Sequence, residues 1–463
     1  MAASHALLHG PIARQLVRLA WPVLIVLALQ TLVGVAETYF VSFLGTDALA
    51  GVALVFPVFM LMTMMSNGGI GGGVASAVAR ALGAGRRGDT ESLATHGVVL
   101  GGVFGSIFTL GAWLGGPSLF RYMGGENQTL ANAVLYSNVM FLSAVPGWIA
   151  NLLAAALRGA GNVRVPAIVT ASGSLITLGL SPLFIFGWGP LPGMGVAGAG
   201  VALILFNTAA ALALALYMRS PASPIRLRAA RLEGRLFGDI LRVGLPSAVG
   251  TVVANLTVVV TTGLIGGYGR DAIAGYGLAS RLDYLLIPLL FALGTASVTM
   301  VGANVGAGQH ARARRIAWTG ALLSAAITGA IGFAAALFPH AWMHLFSGEA
   351  AVVETGAAYL ARVAPFYALF GVGMSLYFAS QGAARMAWPF AAGVVRLLVV
   401  FAAGSYWMTS LHGSLSGLYW IVAASYLLFG AINALAMASG LGWGARSAPP
   451  APSVKDARAS LQV

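Results

Sequence analysis

Five ionisable residues, Glu37, Arg281, Asp283, Arg362 and Arg396, lie in or beside stretches that are otherwise apolar. An ionised side chain at the centre of a membrane helix costs ~2.5–3.5 kcal/mol, so each is a functional candidate wherever it occurs. Glu37 is a carboxyl that can take up and release a proton. Asp283 can do the same or pair with a cation. Arg281 is two positions away and points off the other side of a helix, so Arg396 is its expected partner. Gln30, Gly34 and Glu37 share one helical face. Thr170, Ser174, Thr177 and Ser181 recur at helical spacing, as do Thr251, Asn255 and Thr262, and such stripes are expected to line a wet cavity. Tyr284 joins Arg281, Asp283 and Arg396 as a candidate substrate contact.

Other chemistry is poorly served. Cysteine is absent, which excludes disulfides, thiolate nucleophiles and thiolate metal sites. His340 and His344 have i, i+4 spacing, yet the stretch lacks the general base of an H-E-x-x-H motif and reads as an interfacial pair. Two G-x-G-x-x-G matches, at 83–88 and 193–198, neither follow a strand within a βαβ unit nor end in the GK[ST] of a phosphate loop, so they read as turns. Met60, Met62, Met64 and Met65 read as bundle packing. No metal, cofactor or enzymatic reaction is expected.

The elements that must hold these residues follow from composition. Charged residues make up 8% of 463 and the hydrophobic class 59%, against roughly 25% charged in soluble domains. That excludes a water-soluble enzyme, a disordered chain and a nucleic-acid-binding module despite the net charge of +13. Apolar runs at 16–41, 49–76, 92–116, 131–157, 165–188, 195–218, 243–266, 272–301, 316–338, 355–380, 387–409 and 415–438 predict twelve transmembrane helices. Arginines alternate between loops: one side collects Arg80, Arg86, Arg87, Arg158, Arg164 and most others, while the other side holds only Arg121 and Arg270. The positive-inside rule then places both termini and residues 83–91 and 306–315 in the cytoplasm, with 43–47 outside.

The chain also repeats itself at an offset of 223–224 residues. Trp21-Pro22 matches Leu245-Pro246, LGTDALAG (44–51) matches YGRDAIAG (268–275), LGAGRR (82–87) matches VGAGQH (305–310), and RGAGNVRVP (158–166) matches QGAARMAWP (381–389). Six helices per repeat keep the two halves the same way up, about an axis along the membrane normal, which is a secondary-transporter architecture. The expected organisation is an N-terminal interfacial segment (1–15), an N-lobe (16–218), a basic cytoplasmic linker with an amphipathic surface helix (219–242), a C-lobe (243–438) and a cytoplasmic tail (439–463).

LAWPVLI, ETYFVSFLGTDALAGVALVFP (37–57), ALGAGRR (81–87), LSPLFIFG…PLPGMGVAGAGVA (180–202) and AIAGYGLASRLD…VGANVGAG (272–308) together resemble the multidrug and toxic compound extrusion (MATE) family over nearly all of 16–438. The resemblance implies two six-helix lobes in a V and export of amphipathic, often cationic, compounds in exchange for protons or sodium ions. Two departures bear on the coupling. Glu37 stands where many bacterial members carry Asp, and Thr177-Leu178-Gly179-Leu180-Ser181-Pro182 replaces their Asn-x-x-x-Asp-Pro. The second carboxylate is missing, which favours protons over sodium and makes Glu37 the expected coupling residue. The expected protein is an all-α integral membrane antiporter of the bacterial inner membrane, acting as a monomer on small molecules. Its rival is a flippase for lipid-linked saccharides, whose pyrophosphate would want intramembrane arginines.

Overall fold

The computed structural model describes residues 2–443; residue 1 and residues 444–463, most of the expected tail, lie outside it. In lipid a segment must satisfy its own backbone, which a helix does. Twelve helices are long and apolar enough to cross a membrane: α1 (Ile12–Ser42), α2 (Thr46–Gly83), α3 (Arg87–Tyr122), α4 (Asn127–Gly159), α5 (Arg164–Phe186), α6 (Val196–Arg219), α7 (Gly234–Gly266), α8 (Arg270–Gly306), α9 (His310–Leu337), α10 (Ala350–Gly382), α11 (Ala387–Thr409) and α12 (Leu415–Ala438). They coincide with the twelve expected runs. A two-stranded hairpin, β1 (Gly187–Trp188) with β2 (Leu191–Pro192), joins α5 to α6.

One expectation at the polar margins is corrected. No separate surface helix forms in the linker: 220–233 is non-helical, and 234–242 are the first turns of α7. The linker instead lies across the head of α3. Thr95 Oγ1 donates to the Arg228 carbonyl (2.6 Å), the Glu233 N–H donates to His96 Nε2 (2.8 Å), and Arg235 grips Asp89 through two bonds of 2.9 and 3.0 Å. At the other margin the N-terminal segment docks as a helix, Ala2–His9, with Leu7 buried and its carbonyl accepting a bond from Asn304 Nδ2 (3.1 Å).

The repeat recurs in the turns. Gly45 and Gly269 (φ 100° and 108°) and Gly85 and Gly308 (both φ 73°) hold left-handed conformations in equivalent loops, which glycine adopts without a Cβ clash. A third equivalent pair is Gly161 (φ 83°) and Ala384 (φ 57°). Alanine there is strained by about 1–2 kcal/mol. Ala384→Gly is therefore expected to stabilise the protein by roughly 0.5–1 kcal/mol after the extra unfolded-state entropy is subtracted. A melting temperature at or below that of the parent would contradict this.

Six helices form each lobe, but α1 and α7 cross between them. The first turns of α1 (Leu16, Leu19, Ala20) pack in a C-lobe core with Ala292, Met300 and Ala317, while its C-terminal end (Val41) joins the N-lobe cluster of Ala48, Ile185 and Val196. α7 does the converse: Leu236 and Ile240 lie in the N-lobe core, Leu264 and Ile265 in that of the C-lobe. Pro22 and Pro246 sit within these helices near the crossing.

The lobes meet at their arginine-rich ends through reciprocal contacts. Ser76 Oγ on α2 donates to the Gln381 carbonyl on α10 (2.5 Å), and its repeat equivalent Thr299 on α8 donates to the Arg158 carbonyl on α4 (2.9 Å). Gly83 lies directly against the Ala303 carbonyl and Gly306 against that of Arg80, so close that a Cβ at either position would collide with backbone. Small residues permit this approach. Toward the opposite end the buried clusters belong to one lobe each, so no shared core joins the lobes there.

Candidate functional site

Glu37 lies on the C-terminal half of α1, part-buried, with no ion pair or hydrogen bond among the described residues. α1 and α5 run in the same direction, and Phe43 meets Phe186 edge-on at 6.2 Å between ring centroids. Val41 and Ile185 share one buried cluster. One turn earlier on each helix stand Glu37 and Ser181, which puts carboxyl and hydroxyl at one level. The Ser181 hydroxyl is fully buried without a partner, and Tyr136 on α4 is within electrostatic reach of Glu37. Among the described residues no cation neutralises this carboxyl. It can be charged or neutral according to the protons that reach it.

The polar stripes are placed differently from expectation. Ser174, Thr177 and Ser181 are buried between helices rather than lining open space, and Thr177 Oγ1 donates to the Gly173 carbonyl of its own helix (2.8 Å). A hydroxyl bonded within its helix costs little in lipid or in a packed interface, so the stripe needs no cavity. Thr170 is part-buried, Gln30 is exposed, and Gly34 opens on empty space. On α7, Thr251 and Thr262 are part-buried and bonded within the helix, while Asn255 is exposed and lies 3.8 Å from Met64 Sδ of the other lobe. Met62 is in the N-lobe core.

In the C-lobe the expected pairing of Asp283 with Arg396 is corrected. No Arg396 nitrogen comes within ion-pair distance of Asp283; tyrosines hold it instead. Tyr359 donates to Oδ2 at 2.7 Å and Tyr426 to the same oxygen at 3.4 Å. Arg396 lies over the other side of this nest, 4.5 Å from the Tyr426 ring centroid and 5.2 Å from that of Phe370. Burial without partners marks Asp283 Oδ1, Arg396 Nε and the Tyr367 hydroxyl. Sequence reasoning missed these tyrosines because a lone Tyr in an apolar run reads as packing. Arg281 is exposed over the Phe346 ring (5.4 Å), Tyr284 is exposed, Arg362 donates to the Ala358 carbonyl (2.9 Å), and His340 contacts Glu354 (3.2 Å).

This geometry makes a definite coupling pattern. In double-mutant cycles of unfolding free energy, Asp283→Asn with Tyr359→Phe should show a coupling of about 1–3 kcal/mol, the range for a bond to a charged group. Asp283→Asn with Arg396→Gln, whose parent side chains meet only through Tyr426, should couple more weakly. Strong coupling in the second cycle and none in the first would mean that the guanidinium, not the phenol, holds the carboxylate.

The MatE family model matches the chain twice, at residues 22–183 and 246–407, which is the internal repeat seen from outside. The chain belongs to the MATE family. A FAD transporter of Shewanella oneidensis is 27% identical over 378 residues, covering 80% of this chain and 82% of that one. A probable multidrug resistance protein, NorM, of Thermotoga maritima is 27% identical over 416 residues, covering 88% and 89%. Among solved structures, a MOP superfamily transporter from Pyrococcus furiosus, described as having a binding pocket of reverse polarity, superposes with a TM-score of 0.85 at 26% identity over 94% of this chain and 98% of that one. The MATE fold thus accounts for the two six-helix lobes.

Proposed function

We propose that this MATE transporter is a proton-coupled antiporter that exports amphipathic or cationic organic compounds by alternating access of its central cleft. The observation that carries the reading is Glu37: a part-buried carboxyl on a membrane helix, level with an unpartnered serine hydroxyl, with no cation among the described residues to fix its charge. Protons are favoured over sodium because Ser181, not a second carboxylate, stands opposite, and a sodium site wants several charged or carbonyl oxygens. External protons neutralise Glu37, the N-lobe rearranges and cargo leaves; loss of the proton to the cytoplasm resets the site. Cargo and proton exchange only because they favour different charge states of one carboxyl. Cargo contacts are proposed at Gln30, Asn255, Tyr284, Arg281 and the Asp283–Arg396 nest.

A second reading of the cargo has a specific observation behind it. Arg396 stacked against Phe370 and Tyr426 suits a planar, acidic ring system, and one relative is a FAD transporter. Purified protein in liposomes should take up a fluorescent organic cation under an imposed pH gradient and not under a sodium gradient. Faster transport of a flavin nucleotide than of the cation would select the second cargo, and drive by sodium alone would overturn proton coupling. Both termini are proposed to be cytoplasmic. A cysteine at His310 should then resist an impermeant reagent added outside intact cells, in a chain that has no cysteine of its own.

A further inference from the structure

We propose that the Gln381 side-chain amide is the latch that keeps the two lobes shut at the arginine-rich end, and that its release from Gly68 and Ser247 lets the cleft open on that side. Gln381 is 1% exposed. Its single NH2 group donates twice, to the Gly68 carbonyl on α2 (2.8 Å) and to Ser247 Oγ on α7 (2.9 Å), so both protons are used and three helices are tied at one atom. α2 is wound as a π-helix over Met65–Ile70, around Gly68. A π turn shifts the main-chain bonding register and commonly marks a functional position. Here it lies where the carbonyl accepts a side chain from the other lobe. Gly72, a turn further along α2, lies so close to the amide that a Cβ would strike it.

The pseudo-symmetry isolates what is special about this residue. The hydroxyl-to-carbonyl bonds of Ser76 and Thr299 are equivalent, and so are the close approaches of Gly83 and Gly306. The repeat equivalent of Gln381 is Arg158, whose side chain lines the same small space with Asn67 and Thr295 and has no hydrogen bond or ion pair among the described residues. The junction therefore has two matching backbone bonds, whereas the amide clamp on α10 has no counterpart at Arg158; beside it the Tyr377 hydroxyl donates to the Ser247 carbonyl (3.4 Å). Such a clamp is weak by design of its chemistry: an amide released into water regains hydrogen bonds there, so closing and opening differ by little. A transporter that must do both needs that small difference.

The test uses spin labels on cysteines at Ala84 and His310, exposed positions at the arginine-rich ends of opposite lobes, and a second pair at Thr46 and Arg270 on the other end. Pulsed electron resonance distances are measured in nanodiscs without cargo or gradient, so the outcome does not depend on the coupling ion or cargo proposed above. In Gln381→Leu the ratio of long to short Ala84–His310 distances should rise about tenfold, while the Thr46–Arg270 distance shortens. Ser247→Ala, which removes one of two partners, should move the ratio the same way by less. Arg158→Leu should leave it unchanged. An unaltered ratio in Gln381→Leu, or an equal shift in Arg158→Leu, overturns the latch; if Gln381→Leu does not fold, an unaltered ratio in Ser247→Ala does so.

Discussion

Glu37→Gln is expected to fold, bind cargo and yet transport no faster under a pH gradient than liposomes without protein. Gln has the shape of the protonated carboxyl and cannot lose the proton, so the variant is fixed in one of the two states whose alternation drives exchange. Folding should be little affected, because Glu37 has no bond or ion pair among the described residues to lose. Cargo binding, followed by quenching of a fluorescent cation, separates a broken coupling step from a broken site. If the variant still concentrates cargo when a proton gradient is imposed, coupling resides elsewhere, and the Asp283 nest is the next candidate. Glu37→Asp keeps the charge on a shorter arm and should restore part of the gradient response.

One methyl group should have an effect of similar size. Gly306→Ala places a Cβ against the Arg80 carbonyl of the other lobe, where backbone must move to admit it. Overpacking at a rigid contact costs about 1–3 kcal/mol, and here the cost falls only on the form in which the arginine-rich ends touch. Helices α2 and α8 would separate, stretching the Ser76 and Thr299 bonds with them. Transport should drop at least about tenfold, with the Ala84–His310 distance lengthened. Gly88→Ala, a helical glycine whose Cβ would meet nothing, serves as control and should stay within about 0.5 kcal/mol of the parent. Wild-type rates in Gly306→Ala would mean that the two lobes never close as tightly as they do here.

Much of the fold was legible in the chain because lipid imposes one rule on every span. The apolar runs located all twelve helices, and the offset pairs located the pseudo-axis. Helix ends were less legible. α2 continues from 76 to Gly83 and α7 begins at Gly234, since a helix runs on into water wherever its polar end finds partners, as Arg235 does in Asp89. At the site, Glu37 stood out because a carboxyl among apolar residues has no cheap structural use. The Asp283 tyrosines did not, because their hydroxyls converge from α10 and α12 onto a carboxyl on α8 and no local spacing encodes that. Gln381 was visible as half of a repeat match, but its role depends on a π turn in α2 that no residue pattern announces.

The reciprocal junction bears on electrical tightness. A cell that stores energy as a proton gradient loses it through any pore left ajar, and the membrane potential alone is worth ~2.3 kcal/mol per charge per 100 mV. Ser76 and Thr299 sit on partner helices of opposite lobes and hold each other's neighbours, so separating the lobes strains both bonds in one movement. Half-open geometries, with one bond made and water threading past the other, are thereby disfavoured. The duplicated contact thus acts as an insulator: the floor of the cleft is shut or open as a whole, and current has no narrow seam to follow.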